Sequence, residues 1–326
     1  MRTVWFRDSH SLRWPGSPRT AGQPAGHTIS VEPGSLDLRP TDSAHLDTAL
    51  RLTAIALLLR PMGPWFVSPV ILAAGVLVLI FPRALRNRTV WSALALLVAI
   101  RIADDWPLAD NHIYLLCYWL LAVALALRTA DPAGCLAGSS RLLIGLAFAF
   151  AVLWKVALSP DFTDGRFFRV TLLTDPRFGA ATQLFGGLSK AELDANRDAV
   201  TPLPHGAELT DPPEVREPPR LRAFAMISTW GIVALEALVA AMMLAPARRT
   251  GSWRHTVLLA FCGITYAFAP VAGFGWLLLV MGLAQVDDRQ VWISRLYVVT
   301  FLAVLFYDQL PWTELALDFF RGVARG

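Results

Sequence analysis

Apolar runs of about 15 to 20 residues recur along this chain between short polar connections, the length a helix needs to cross a hydrocarbon layer. They cover Leu46–Leu59, which carries Arg51, then Pro64–Phe81, Thr89–Ala103 with Arg101 near its exit, Asn111–Leu127, Leu142–Leu158, Phe224–Leu244 and Val291–Tyr307. His255–Val286 is too long for one simple helix and breaks around Pro270–Gly275. That leaves two short helices, or one kinked span with a re-entrant half. The runs lack the alternation of barrel strands, and isolated runs in lipid must satisfy their own backbone as helices. The pattern predicts an all-α, polytopic transmembrane helix bundle of about eight or nine membrane segments.

The polar stretches set the remaining boundaries. Residues 1–42 are rich in Gly, Pro, Ser and Arg and lack the apolar core of a signal peptide, so a disordered cytoplasmic tail is expected. The transmembrane domain then spans 43–310, interrupted by an extracytoplasmic excursion over 159–221. Within it, Phe162–Leu188 reads as short helices over a cavity mouth and Ser189–Pro219, acidic and proline-rich, as an exposed loop. Residues 311–326 form an amphipathic tail carrying Trp312, Leu315, Phe319 and Phe320.

Composition agrees with the pattern: 55% of the 326 residues are hydrophobic, 17% are charged, and mean hydropathy is +0.48. The net charge of +4 resides largely in short arginine-rich connections. These are Arg83, Arg86 and Arg88, then Arg128 and Arg141, then Arg248, Arg249 and Arg254, and with the tail they fall on one side if spans alternate. The positive-inside rule makes that side, and the N-terminus, cytoplasmic. The opposite connections are acidic, with Asp104, Asp105 and Asp110 in one. No basic stripe with interleaved aromatics occurs outside the spans, so nucleic acid is not an expected partner; the lipid bilayer is. Trp65, Trp91, Trp106, Trp230, Trp253 and Trp292 lie near span ends, as an aromatic belt would. Cys117, Cys135 and Cys262 show neither a disulfide framework nor a metal-ligand spacing, and no metal is expected.

Of the 29 Lys and Arg residues only two are lysines, Lys155 and Lys190. Lys155 lies inside an apolar run, where an ionisable group points to function and where an amine, unlike a guanidinium, can lose its proton. It stands about five residues from the segment's end, or 7–8 Å, so snorkelling to the headgroups is the competing reading. Asn111 and His112 begin the preceding span at the same face, and antiparallel neighbours would bring all three into one shallow outward cavity. His112 is a candidate proton carrier, and Asn111 a ligand contact or a helix N-cap. Glu236, deep in its span, needs a partner, with Arg51 and Arg101 as candidates. His255 opens the next apolar run on the cytoplasmic side.

The stretch Asp110-Asn111-His112-Ile113-Tyr114-Leu115 resembles the Asn-Asn-His-x-Tyr-Leu segment of the vitamin K-dependent gamma-glutamyl carboxylase and wider HTTM (horizontally transferred transmembrane) family. Lys155 followed by Asp161-Phe162 and Gly165 is similar to that family's lysine segment and its continuation. Trp230-Gly231 with Glu236, then His255 and Gly273-Phe274, follow in family order. The chain has Asp110 for the family's first Asn and Ala151-Val152 for its Ala-Gly. The resemblance implies a reduced vitamin K or menaquinone-type naphthoquinone as cofactor and Lys155 as catalytic base with His112. It further implies Asn111, His112 and Tyr114 as quinol contacts, His255 and Glu236 as accessory residues, and a peptide or protein substrate supplied in trans. The leading expectation is a carboxylase-like or quinol-linked membrane enzyme. The alternative is a non-catalytic membrane scaffold or partner subunit keeping the fold.

Overall fold

The computed structural model describes residues 42–59, 64–107, 109–200, 214–268, 272–287, 289–306 and 312–323. The expectations for residues 1–41, for Pro270 and for 201–213 lie outside them. Among the described residues the secondary structure is helical, without strands. The principal helices are α1 (Asp42–Leu59), α2 (Ser68–Ile80), α3 (Arg88–Asp104), α4 (Asn111–Ala126), α5 (Pro132–Leu153), α6 (Arg166–Thr174), α7 (Lys190–Val200), α8 (Pro219–Leu244), α9 (Trp253–Phe268), α10 (Ala272–Leu283), α11 (Val291–Leu305) and α12 (Trp312–Val323).

Among the described residues two stretches are long and apolar enough to cross a membrane, Pro132–Leu158 and Pro219–Leu244. Both are longer than their hydropathy alone predicts. Asp131 accepts a hydrogen bond from the Gly134 amide and Pro132 takes the first turn, so α5 starts about ten residues before the apolar run. Pro219 does the same for α8. Segment α2 is shorter than its apolar run, because Pro64 to Val67 form a turn before Ser68.

Consecutive helices joined by short connections pack on one another, which makes them antiparallel: α1 with α2, α3 with α4, α4 with α5, α9 with α10, and α10 with α11. Cross-links agree. Ser294 Oγ at the start of α11 lies 3.2 Å from His45 Nδ1 at the start of α1. Arg254 at the start of α9 donates to the carbonyl of Gln285, just past α10, at 3.3 Å. The long run His255–Val286 is therefore two antiparallel helices.

The centre of the bundle is α10. It is apolar on every side, Trp276 to Leu283 are buried almost without break, and α1, α4, α5, α9 and α11 all pack against it. Two glycines let large rings lie flat on it. A Cβ at Gly275 would stand 2.2 Å from Tyr266 Cζ, and one at Gly282 would stand 2.4 Å from Tyr297 Cε1. Of the tryptophans placed near span ends, Trp65, Trp106, Trp230, Trp253 and Trp292 are exposed. Trp91 is not: it is fully buried and donates to the Leu85 carbonyl at 2.7 Å.

The excursion folds into a small helical cap. Leu172, Leu173, Phe178, Leu188 and Leu193 form its core against Leu221 and Ala225 of α8. The stretch expected as an exposed loop begins with a helix, α7. Ser189 and Glu192 cap it reciprocally: the Ser189 amide donates to Glu192 Oε2 at 2.7 Å, and the Glu192 amide to Ser189 Oγ at 3.3 Å. Asn196 clips the returning chain, donating to the Arg216 carbonyl at 2.9 Å and accepting from its amide at 2.8 Å. In α12 Leu317 is buried and Leu315, Phe319 and Phe320 are exposed, and the helix rests on Gly179–Ala181.

Gly282→Ala should lower stability in detergent by about 1–3 kcal/mol, since the buried Tyr297 ring has nowhere to move. Gly138→Ala, whose Cβ would meet nothing within 4 Å, should be neutral or stabilising in the same unfolding assay. A second expectation concerns acid. The Arg177 side chain beside Asp175 holds that carboxyl below its usual range. Its stabilisation is thus complete above the ordinary carboxylate pKa of about 3.9 and fades as pH falls through the lower folded value. Hydrogen exchange in the cap should rise over that interval and not at neutral pH.

Candidate functional site

Lys155 sits where α5 ends. Pro160 cannot continue the helix, and the last turn, Trp154–Leu158, widens into a π-turn. Such turns are rare and concentrate at functional positions. The side chain does not snorkel to the headgroups. Its Nζ lies 2.5 Å from Glu236 Oε1 and 2.6 Å from Oε2, and 5.3 Å from the centre of the Phe162 ring. Glu236 shares the buried face of α8 with Val233, Val239 and Ala240. Helices α5 and α8 pack along much of their length, and Gly145 permits the approach: a Cβ there would meet Leu244 Cδ2 at 2.7 Å.

Burial decides why these two groups meet. The Glu236 side chain is only 9% exposed and that of Lys155 20%. An ionised carboxylate held that far from water without a partner costs several kcal/mol. The ammonium occupies both oxygens and leaves a pair with no net charge. Neither arginine considered for this role takes it. Arg101 pairs with Asp105 on its own helix, and Arg51 is exposed.

His112, Asn111 and Tyr114 are placed differently. The N-cap of α4 is Asp110, not Asn111, and Asp110 makes no side-chain cap bond. Asn111 is exposed and Tyr114 is half-buried one turn on. His112 Nε2 lies 3.9 Å from Asp110 Oδ2. It lines an apolar recess with Thr53, Leu57, Leu116, Trp276 and Leu277, whose walls come from α1, α4 and α10. Lys155 is not among those walls, so the recess does not gather the three polar groups into one cavity. Two residues there escaped the sequence reading. Thr53 Oγ1 accepts from Trp119 Nε1 at 3.1 Å, and Trp276 Nε1 is buried without a partner among the described residues.

The recess has a free volume of about 20 Å³, room for roughly one water molecule. Of Asn111, His112, Tyr114 and Lys155, only His112 lines it. His255 belongs to a separate network at the start of α9. Its Nδ1 lies 3.1 Å from Tyr297 Oη, and both residues are fully buried. Among the described residues no group of three or more His, Cys, Asp or Glu is placed to hold a metal. Comparison with protein-family models, curated proteins and solved structures finds no match.

The pair sets a clear mutational expectation. Lys155→Met or Glu236→Met alone strands a buried charge and should cost about 3–5 kcal/mol, whereas the double Met variant should recover most of that loss. Unfolding in detergent measures it through a double-mutant cycle.

Proposed function

We propose that this chain is a multi-pass integral membrane protein of about eight or nine membrane segments with a cytoplasmic N-terminus, and that its Lys155–Glu236 pair is a proton-exchange centre. The carrying observation is the contact itself: an amine and a carboxylate from two apolar helices, joined at 2.5 and 2.6 Å. Arginine-rich connections at the end where α1 begins, and acidic Asp104, Asp105 and Asp110 at the other, support the orientation.

The chemistry follows from the pair's neutrality. Moving the shared proton from Nζ to a Glu236 oxygen converts ammonium and carboxylate into free amine and carboxylic acid without changing net charge. The free amine is then a base at the mouth of the bundle. This is the role that the HTTM and carboxylase resemblance implies for Lys155. Only His112 of the residues that the resemblance assigns to the quinol lines the recess, so no step is assigned to the quinol and the reading rests on the ion pair. A second reading, a non-catalytic scaffold or partner subunit, draws on the same pair as a clamp between α5 and α8.

With two lysines in the chain, amine chemistry separates the readings. A bilayer-soluble acylating reagent at neutral pH should modify Lys155, with exposed Lys190 as the internal standard and peptide mass mapping as the readout. Complete inertness of Lys155 beside a fully labelled Lys190 would leave the scaffold reading standing. Mass spectrometry of co-purifying lipids and quinones should then be read on the wild type and on Lys155→Arg. A quinone retained by the wild type and lost in the variant would make the quinol the substrate.

A further inference from the structure

At the end of the bundle opposite Lys155, Arg254 is held rather than free. Its Nε donates to His255 Nε2 at 3.3 Å and its Nη2 to the Gln285 carbonyl at 3.3 Å. An imidazole that accepts at Nε2 carries its proton on Nδ1, which donates to Tyr297 Oη at 3.1 Å. The guanidinium is thus anchored through two of its three nitrogens. The third, Nη1, has no protein partner among the described residues.

A second cation stands beside it. Arg141 lies seven residues before Phe148 on α5 and Arg254 seven before Phe261 on α9, and those two rings meet with centroids 4.7 Å apart, so the two half-buried arginines share one level of the bundle. Among the described residues neither forms an ion pair with a carboxylate. The sequence offers little to supply one: no Asp or Glu occurs between Glu236 and Asp287, or between Asp131 and Asp161. Arg248 and Arg249, both exposed, add charge in the α8–α9 connection. Beside the arginines lie exposed apolar groups, Trp253 next to Arg254 and Leu142 next to Arg141. Two like charges brought together from different helices repel, and an anion between them reverses the sign. The planar fork of arginine suits phosphate oxygens.

We propose that Arg141 and Arg254 form a phosphate-binding site, filled by the headgroup of an anionic phospholipid at the cytoplasmic end of the bundle. The proposal rests on the multi-pass reading above. The two arginines hold the phosphate, Trp253 and Leu142 lie against the acyl chains, and Nη1 of Arg254 supplies the open donor. Basic pockets between helices on that face take anionic lipids for this reason.

Native mass spectrometry and thermal unfolding of the detergent-purified full chain test it, with phosphatidylglycerol, phosphatidylcholine or inorganic phosphate added. The wild type should retain and be stabilised by phosphatidylglycerol in preference to phosphatidylcholine. Arg141→Gln and Arg254→Gln should each weaken that binding about fivefold, while Arg222→Gln, at the other end, should not. Arg141→Gln is the decisive variant, because Arg254 also supports His255 and its loss can disturb the fold. Equal binding of the two lipids by the wild type, with no effect of phosphate, overturns the proposal. So does an Arg141→Gln protein that binds phosphatidylglycerol as the wild type does. Stabilisation by inorganic phosphate without lipid preference assigns the site to the free ion. A chain that stays dispersed in buffer without detergent overturns the membrane reading, and the inorganic-phosphate arm still reads the arginine site.

Discussion

A helix that is apolar on every side has to be enclosed, and α10 imposes that requirement on the fold. At 12 residues it is about 18 Å long, too short to cross a hydrocarbon layer upright. It is stable because five helices surround it. Enclosure demands close approach, which Gly275 and Gly282 provide by accepting the rings of Tyr266 and Tyr297. Tyr297 then has to place its hydroxyl in an apolar interior, and His255 meets it. The buried polar network at that end thus follows from packing a tyrosine on a glycine, which accounts for the burial of His255.

The Lys155–Glu236 pair has a different origin, because nothing in the packing demands it. Helices α5 and α8 already fit through Gly145 against Met243 and Leu244. Two apolar side chains of similar volume would join them at no electrostatic cost, and such replacements of buried ion pairs are often neutral or stabilising. A pair on a π-turn, with a fifth of the lysine side chain still accessible, has the water access that the proposed proton exchange needs.

Much of this was legible in the chain. Apolar runs located α3, α4 and α11 to within a residue or two at their ends, and the rarity of lysine singled out Lys155. Hydropathy failed where helices extend into polar sequence. The stretch ahead of Arg141 reads as a loop by composition, yet Asp131-Pro132 is a helix start that local chemistry makes readable. The same holds for Ser189 and Glu192, a reciprocal cap inside a stretch that looked unstructured. The partner of Lys155 lies 81 positions away, and no periodicity within either helix identifies it. That pairing depends on how α5 and α8 slide along one another, a register set by Gly145. His112 likewise shares the end of the bundle expected from topology, but the recess it lines opens between α1, α4 and α10, whose arrangement around a buried helix is not a local property.

The two ends of the molecule handle arginine in opposite ways. In the cap, carboxylates answer the guanidinium groups: Arg166 meets Asp161 at 2.8 Å, Arg169 and Arg222 share Glu217, Arg177 bonds Asp175, Arg197 bonds Asp194 and Arg216 bonds Glu192. These exposed pairs contribute little stability each, but they cancel the field of the cap, so that end presents no net attraction for anions. At the other end Arg86 meets Asp47 at 2.8 Å, but Arg141 and Arg254 have no carboxylate partner among the described residues. In a bilayer, uncompensated arginine favours the cytoplasmic face, and a neutralised cap gives no such bias. The proposed orientation and the proposed phosphate site therefore rest on one feature, the absence of carboxylates from α5, the last part of α8, α9 and α10.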